Sequence, residues 1–212
     1  MEEEEGAGWS MADLESPHAM PRLIAFLSSL LQKVAESNDM GRRKIQQPQR
    51  ISVFHGLTRP AISVRSYLDR IFKYANCSPS CFVVAYVYLE RFAQQQPALP
   101  ISSLNVHRLL ITSVMVAAKF LDDIYYNNAY YAKVGGISTM EMNFLEVDFL
   151  FGLGFNLNVT PSTFHTYCSY LQREMMQQCP PSIMEDDGRP QKLHLICFNE
   201  DEASHQKQEL AV

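Results

Sequence analysis

The sequence predicts an all-α protein, and three observations carry the prediction. Apolar residues recur at helical spacing in successive segments between residues 62 and 176. Capping signals bound these segments, with Ser, Thr or Asn before them and Gly or Pro after. No apolar–polar alternation of the strand kind interrupts them. The expected architecture is one five-helix domain over residues 51–160, with a flanking helix at each end and flexible tails.

The elements follow in order. Residues 1–17 are acidic and small, a composition that favours disorder. Pro21 opens a flanking helix over about 21–36, with Leu23, Ile24, Leu27, Leu30, Leu31 and Val34 at helical spacing. The polar stretch 37–50 reads as a linker, completing a segment 1–50 outside the main domain. Residues 62–75 align Val64, Leu68, Ile71 and Ala75 on one face of the first domain helix. Ser78-Pro79 supplies an N-cap and a first-turn proline for the second, CFVVAYVYLERFAQQ, which is apolar nearly all round and therefore buried. The third, NVHRLLITSVMVAAKFL over 105–121, is of the same kind. Asn127-Asn128 caps a short fourth helix that stops at Gly135-Gly136. Ser138 and Glu141 form a capping box for a fifth helix, running to about Phe151 and closed by Gly152 and Gly154. Thr160-Pro161 begins the second flanking helix, 161–178, and residues 179–212 are expected to be a flexible tail. Within that tail the apolar run 193–198 reads either as a strand or as a segment docked on the bundle.

Composition narrows the function. The net charge is −5, and the only basic cluster is Arg42, Arg43 and Lys44, so the counterion-releasing stripe of a nucleic-acid binder is missing. MEEEE is the opposite of a secretory n-region, and no apolar run reaches the roughly 18–20 residues of a membrane span. The expectation is a soluble intracellular protein, in nucleus and/or cytoplasm, without a nucleic-acid or membrane partner. The five scattered cysteines read as reduced thiols. Cys77 and Cys81 form C-x₃-C with no second pair at zinc-finger spacing, and small packed thiols are the better reading. No metal or cofactor is expected. Neither a nucleophile motif nor a phosphate-binding loop is present, and His107 and His165 lack an acid partner at fixed spacing. GGIS at 135–138 fits a C-cap and turn better than an anion site. The chain is expected not to be an enzyme.

Charges set inside apolar helices are more informative, because a buried charge is costly unless paired. Arg65 and Glu90 are the candidate structural ion pair, joining the first two domain helices. Lys119 ends the most apolar helix, and Glu146 sits mid-helix between Leu145 and Val147. Either could simply be exposed at a helix edge. Tyr125, Tyr126, Tyr130 and Tyr131 fit ordinary packing or, because Tyr is enriched at interfaces, a protein-binding face.

Taken together, SVRSYLDRIF, YLERF, AAKF and LEVDFL followed by LGFNL resemble the cyclin box, in the family's order and spacing over about residues 51–160. LDDIYYNNAYYAKVGG resembles yeast phosphate-signalling cyclins, and more closely still the plant P-type or U-type cyclins. The resemblance implies a single five-helix cyclin box that binds and activates a cyclin-dependent protein kinase as a heterodimer, in cell division or phosphate signalling. It places Lys119 and Glu146 against the kinase backbone beside its C helix, with Phe120, Leu150, Phe155 and Leu157 packing on that helix. It also implies the Arg65–Glu90 pair. One departure is that the R-x-L docking positions are Val64, Leu68 and Ile71, without the family's tryptophan. LICFNE misses the L-x-C-x-E motif by one residue, its acid falling at Glu200. A cyclin-fold adaptor that activates no kinase and a cyclin-fold transcription component are the competing functions.

Overall fold

The structure is a computed structural model describing residues 19–45 and 51–177. The acidic start, residues 46–50 and the tail with its 193–198 run lie outside the described residues. Among those described there are seven helices and no strand. They are α1 (Ala19–Ile45), α2 (Val64–Tyr74), α3 (Ser80–Gln95), α4 (Val106–Leu121), α5 (Asn128–Gly135), α6 (Thr139–Gly152) and α7 (Pro161–Gln177). The all-α expectation therefore holds.

At the centre lie α3 and α4, which pack most extensively on each other. Twelve of the sixteen residues of each helix are buried, as their apolar sequences require. The two hydroxyl residues buried in α4 are satisfied locally. Thr112 donates to the Arg108 carbonyl at 2.7 Å and Ser113 to that of Leu110 at 3.0 Å. Around this pair, α1 packs along α2, while α5 and α6 pack on α4 and on each other.

Local capping sets most boundaries. Ser63, Asn127 and Ser138 each accept a backbone N–H from the first turn of α2, α5 and α6. Gly136 closes α5 at φ 71°, in the left-handed region that glycine enters without strain. The Ser138–Glu141 box is only half made. Ser138 accepts from the Glu141 N–H at 3.1 Å, but the Glu141 carboxylate turns to Arg108 Nε at 2.6 Å. An ion pair to another helix has displaced the reciprocal local bond.

Two boundaries differ from expectation. The first flanking helix continues past Glu36 to Ile45. Its polar end is held by tertiary bonds, from Asn38 Nδ2 to the Ile101 carbonyl at 2.8 Å and from the Ser103 N–H to Asp39 at 3.3 Å. At the start of α3, Pro79 occupies the N-cap position and no side chain of its own caps the helix. Asp122, the first acid after the AAKF phrase, lies beside this end instead. It accepts from the Ser78 N–H at 3.0 Å and from the Cys81 thiol at 3.4 Å, a favourable place for an anion beside a helix N-terminus.

The site helix α6 is anchored by aromatic packing. Phe149 stacks on Phe92 at 5.0 Å between ring centroids, and Phe54 meets both rings edge-on at 5.3 and 6.2 Å. At Gly152 a Cβ would come within 2.3 Å of the Phe92 ring, so glycine lets the end of α6 lie against it.

Candidate functional site

The predicted ion pair between Arg65 and Glu90 is not formed. Arg65 projects from the side of α2 beside the buried Val64 and bonds Asp69 one turn on, at 2.9 Å, with both side chains about half exposed. Glu90 is fully buried and accepts from the phenols of Tyr86, at 2.5 Å, and Tyr167, at 2.7 Å. An i,i+4 partner on its own helix costs Arg65 no desolvation, whereas reaching Glu90 would mean burying a guanidinium. Burial, and then the negative charge of Glu90, push the Tyr86 phenol well above its ordinary range, so it remains a donor. Glu90 thus ties α7 to α3. Arg65→Ala is expected to move the unfolding free energy by less than about 1 kcal/mol, as exposed pairs do; urea denaturation measures it.

Lys119 and Glu146 do meet. Lys119 occupies the last turn of α4, where a cation complements the helix dipole. Its Nζ donates to Glu146 Oε1 at 2.7 Å and to Oδ1 of Asn128, the first residue of α5. Asn128 Nδ2 donates in turn to Glu146 Oε2 at 2.7 Å and to Asn143 Oδ1 at 2.8 Å. Three helices contribute to one polar ring in which Lys119 and Glu146 keep 25% and 19% of their side-chain surface exposed. Asn128 and Asn143 were not legible as members. Asn128 reads locally as a cap, and only the packing of α5 against α6 brings its amide to Glu146.

The apolar residues of the expected face lie on the same helices as the ring and on the segment after α6. Phe120 and Phe155 are about half exposed, while Leu150 and Leu157 are half-buried against the core. The segment after α6 is pinned from α3: Tyr88 donates to the Leu157 carbonyl at 2.7 Å, and Arg91 to those of Asn156 and Asn158 at 3.0 and 2.9 Å. Gly154 and Phe155 are both left-handed, at φ 55° and 58°. That conformation costs a non-glycine residue roughly 1–2 kcal/mol. Here it turns the Phe155 ring onto Phe151, 5.1 Å away. Met140, Phe144, Val147 and Phe151 repeat at four-three-four spacing along α6 and are all exposed, on the side opposite the buried Met142, Leu145 and Phe149. This second apolar stripe is readable in TMEMNFLEVDFLFG by placing the residues on a helical wheel.

Other candidates resolve into packing. Tyr131 is buried, and Tyr126 stacks on Tyr130 at 4.0 Å. Tyr130 also donates to the Tyr74 carbonyl at 2.7 Å, which leaves Ile124 and Tyr125 as the most exposed part of that segment. Val64, Leu68 and Ile71 are buried in a helix that α1 packs against. His107 is buried, with Nε2 2.9 Å from the Ile62 carbonyl, and burial lowers its pKa; His165 is exposed. Among the described residues no group of three or more His, Cys, Asp and Glu could hold a metal ion, and no helix is long and apolar enough to cross a membrane.

Comparison with known proteins agrees with this architecture. The sequence model of the family described as Cyclin matches residues 18–157 and so takes in α1. The chain is 72% identical over 199 residues to Cyclin-U4-1 of Arabidopsis thaliana, covering 94% of this chain and 97% of that protein. It is 64% identical over 159 residues to Cyclin-U4-2 of the same species, covering 75% and 74%. To Cyclin-P4-1 of Oryza sativa subsp. japonica it is 60% identical over 173 residues, covering 80% and 82%. With a matched profile across the helical bundle and plant U- and P-type cyclins aligned along most of its length, the chain belongs to the cyclin family, whose members regulate rather than catalyse.

Proposed function

We propose that this chain is the regulatory subunit of a cyclin-dependent serine/threonine kinase, acting in cell division or phosphate signalling. Lys119, Glu146, Phe120, Leu150, Phe155 and Leu157 form its kinase-binding face. One observation carries the reading: a charged pair joins α4 and α6, with the exposed Phe120 next to Lys119 in the chain and Leu150 one turn from Glu146. Such a surface is complementary to a helix with an irregular backbone end. Apolar area supplies affinity, and the ammonium and carboxylate, a donor and an acceptor, set the register. The mechanism is allosteric. Binding favours the kinase state in which the C helix lies inward and its glutamate meets the active-site lysine. The chain performs no chemistry of its own.

The test is co-purification with cyclin-dependent kinases, with phosphotransfer assayed on the bound fraction. Binding and activation together are expected. A wild-type chain that binds another protein and leaves every kinase unstimulated is instead an adaptor. Phe155→Gly separates binding from folding. The ring is exposed and its backbone strained, so stability should stay within about 1 kcal/mol of the wild type. Kinase affinity should fall by about 2 kcal/mol, the loss of an aromatic anchor. Equal affinities for the two proteins would remove Phe155 from the interface.

A further inference from the structure

Lys119 and Glu146 are not two separate charges awaiting a partner. Each is already bonded to the other, and both are bonded to the one amide of Asn128. That amide is itself held, because its second N–H is taken by Asn143. A primary amide is suited to this place: it accepts from an ammonium and donates to a carboxylate at once, which no charged side chain does. Without it the lysine and glutamate keep one bond between two flexible side chains on different helices. With it the geometry is closed from both sides.

We propose that Asn128 is a positioning residue of the kinase-binding site, holding Lys119 and Glu146 as one preformed ring that engages main chain without opening. This rests on the kinase-binding reading of those two residues. The remaining valences specify what the ring accepts. Lys119 has three N–H groups, of which Glu146 and Asn128 occupy two. Each Glu146 oxygen accepts one bond in the ring and has a lone pair left. One lysine, one glutamate and two neutral amides carry no net charge. The one open donor of Lys119 and the two open acceptors of Glu146, on a neutral platform, fit a backbone carbonyl and backbone N–H groups better than a charged side chain. Because the ring is formed before binding, less side-chain freedom is lost on association.

Asn128 also begins α5, so a purely structural role must be told apart. Asn128→Asp does this. A carboxylate in the first turn suits the helix N-terminus and preserves or improves α5. It also sets a second acid against Glu146 and competes with it for Lys119. Kinase affinity is measured by calorimetry for the wild-type chain and for Asn128→Ala, Asn128→Asp and Lys119→Ala, with thermal unfolding alongside. The expected result is a loss of about tenfold for Asn128→Ala, near 1.4 kcal/mol, and at least as large a loss for Asn128→Asp with its unfolding temperature maintained. In a background carrying both Lys119→Ala and Glu146→Ala, Asn128→Ala should change affinity by less than about twofold, since positioning acts only through the pair. If Lys119→Ala weakens binding while both Asn128 variants stay within about twofold of the wild type, the positioning role is overturned and the kinase site stands. An Asn128→Asp chain that binds like wild type while Asn128→Ala unfolds assigns the residue to the α5 start alone and also overturns the role. A wild-type chain that binds no kinase overturns both readings.

Discussion

Replacing either Lys119 or Glu146 by alanine is expected to lower kinase affinity by about 2–5 kcal/mol, roughly 30-fold to several thousand-fold, while the free chain remains folded. The asymmetry follows from where the pair sits. In the free chain both side chains still touch water, and an ion pair that solvent reaches contributes only about 0–1 kcal/mol to stability. Once a partner covers the ring, water no longer compensates a missing bond. The surviving charge is then buried against apolar surface with its partner gone. Losing Lys119 still leaves Glu146 bonded to Asn128, and losing Glu146 still leaves Lys119 bonded to Asn128. The free protein therefore tolerates either change. Calorimetry against the kinase, with circular dichroism and urea unfolding on the same samples, checks both halves. Unchanged affinity in both variants would remove the pair from the interface. A large loss of stability would mean that the ring holds the bundle together instead.

Phe149→Ala unfolds far more readily, by about 3–5 kcal/mol, the range for deleting a buried aromatic ring. Phe149 has no exposed surface and sits between Phe92 and Phe54. No neighbour can fill its place, since Phe92 is already pressed against Gly152. The loss acts on the site indirectly, because the same helix carries Glu146 and Leu150 beside its buried face and Phe151 on the far side. Kinase binding should weaken on warming in step with unfolding and be restored on cooling. A shift below about 1.5 kcal/mol in urea would contradict the packed cluster. Phe144→Ala, on the exposed side of α6, is the control and should be close to neutral for stability.

What could be read from the sequence was what short range decides. The capping roles of Asn127 and Ser138 act within three residues, the stop at Gly136 depends on one backbone angle, and the two central helices declare burial by being apolar all round. The cyclin phrases depend on residue order, and they too were legible. Tertiary structure decided which of several available partners each polar group takes. Arg65 had Asp69 one turn away and used it, while Glu90 took Tyr86 one turn away and a second tyrosine 77 positions on. Glu141 left its local capping bond for Arg108, and Asp122 settled beside the start of a helix that begins 42 residues earlier in the chain. The Lys119–Asn128–Glu146 ring exists only where three helices converge, and Phe155 reaches its surface only through a left-handed turn. Periodicity and capping are properties of a few neighbouring residues and are written in order along the chain. Choosing a distant partner depends on desolvation and on the distance left after the helices have packed, and neither quantity exists until they do.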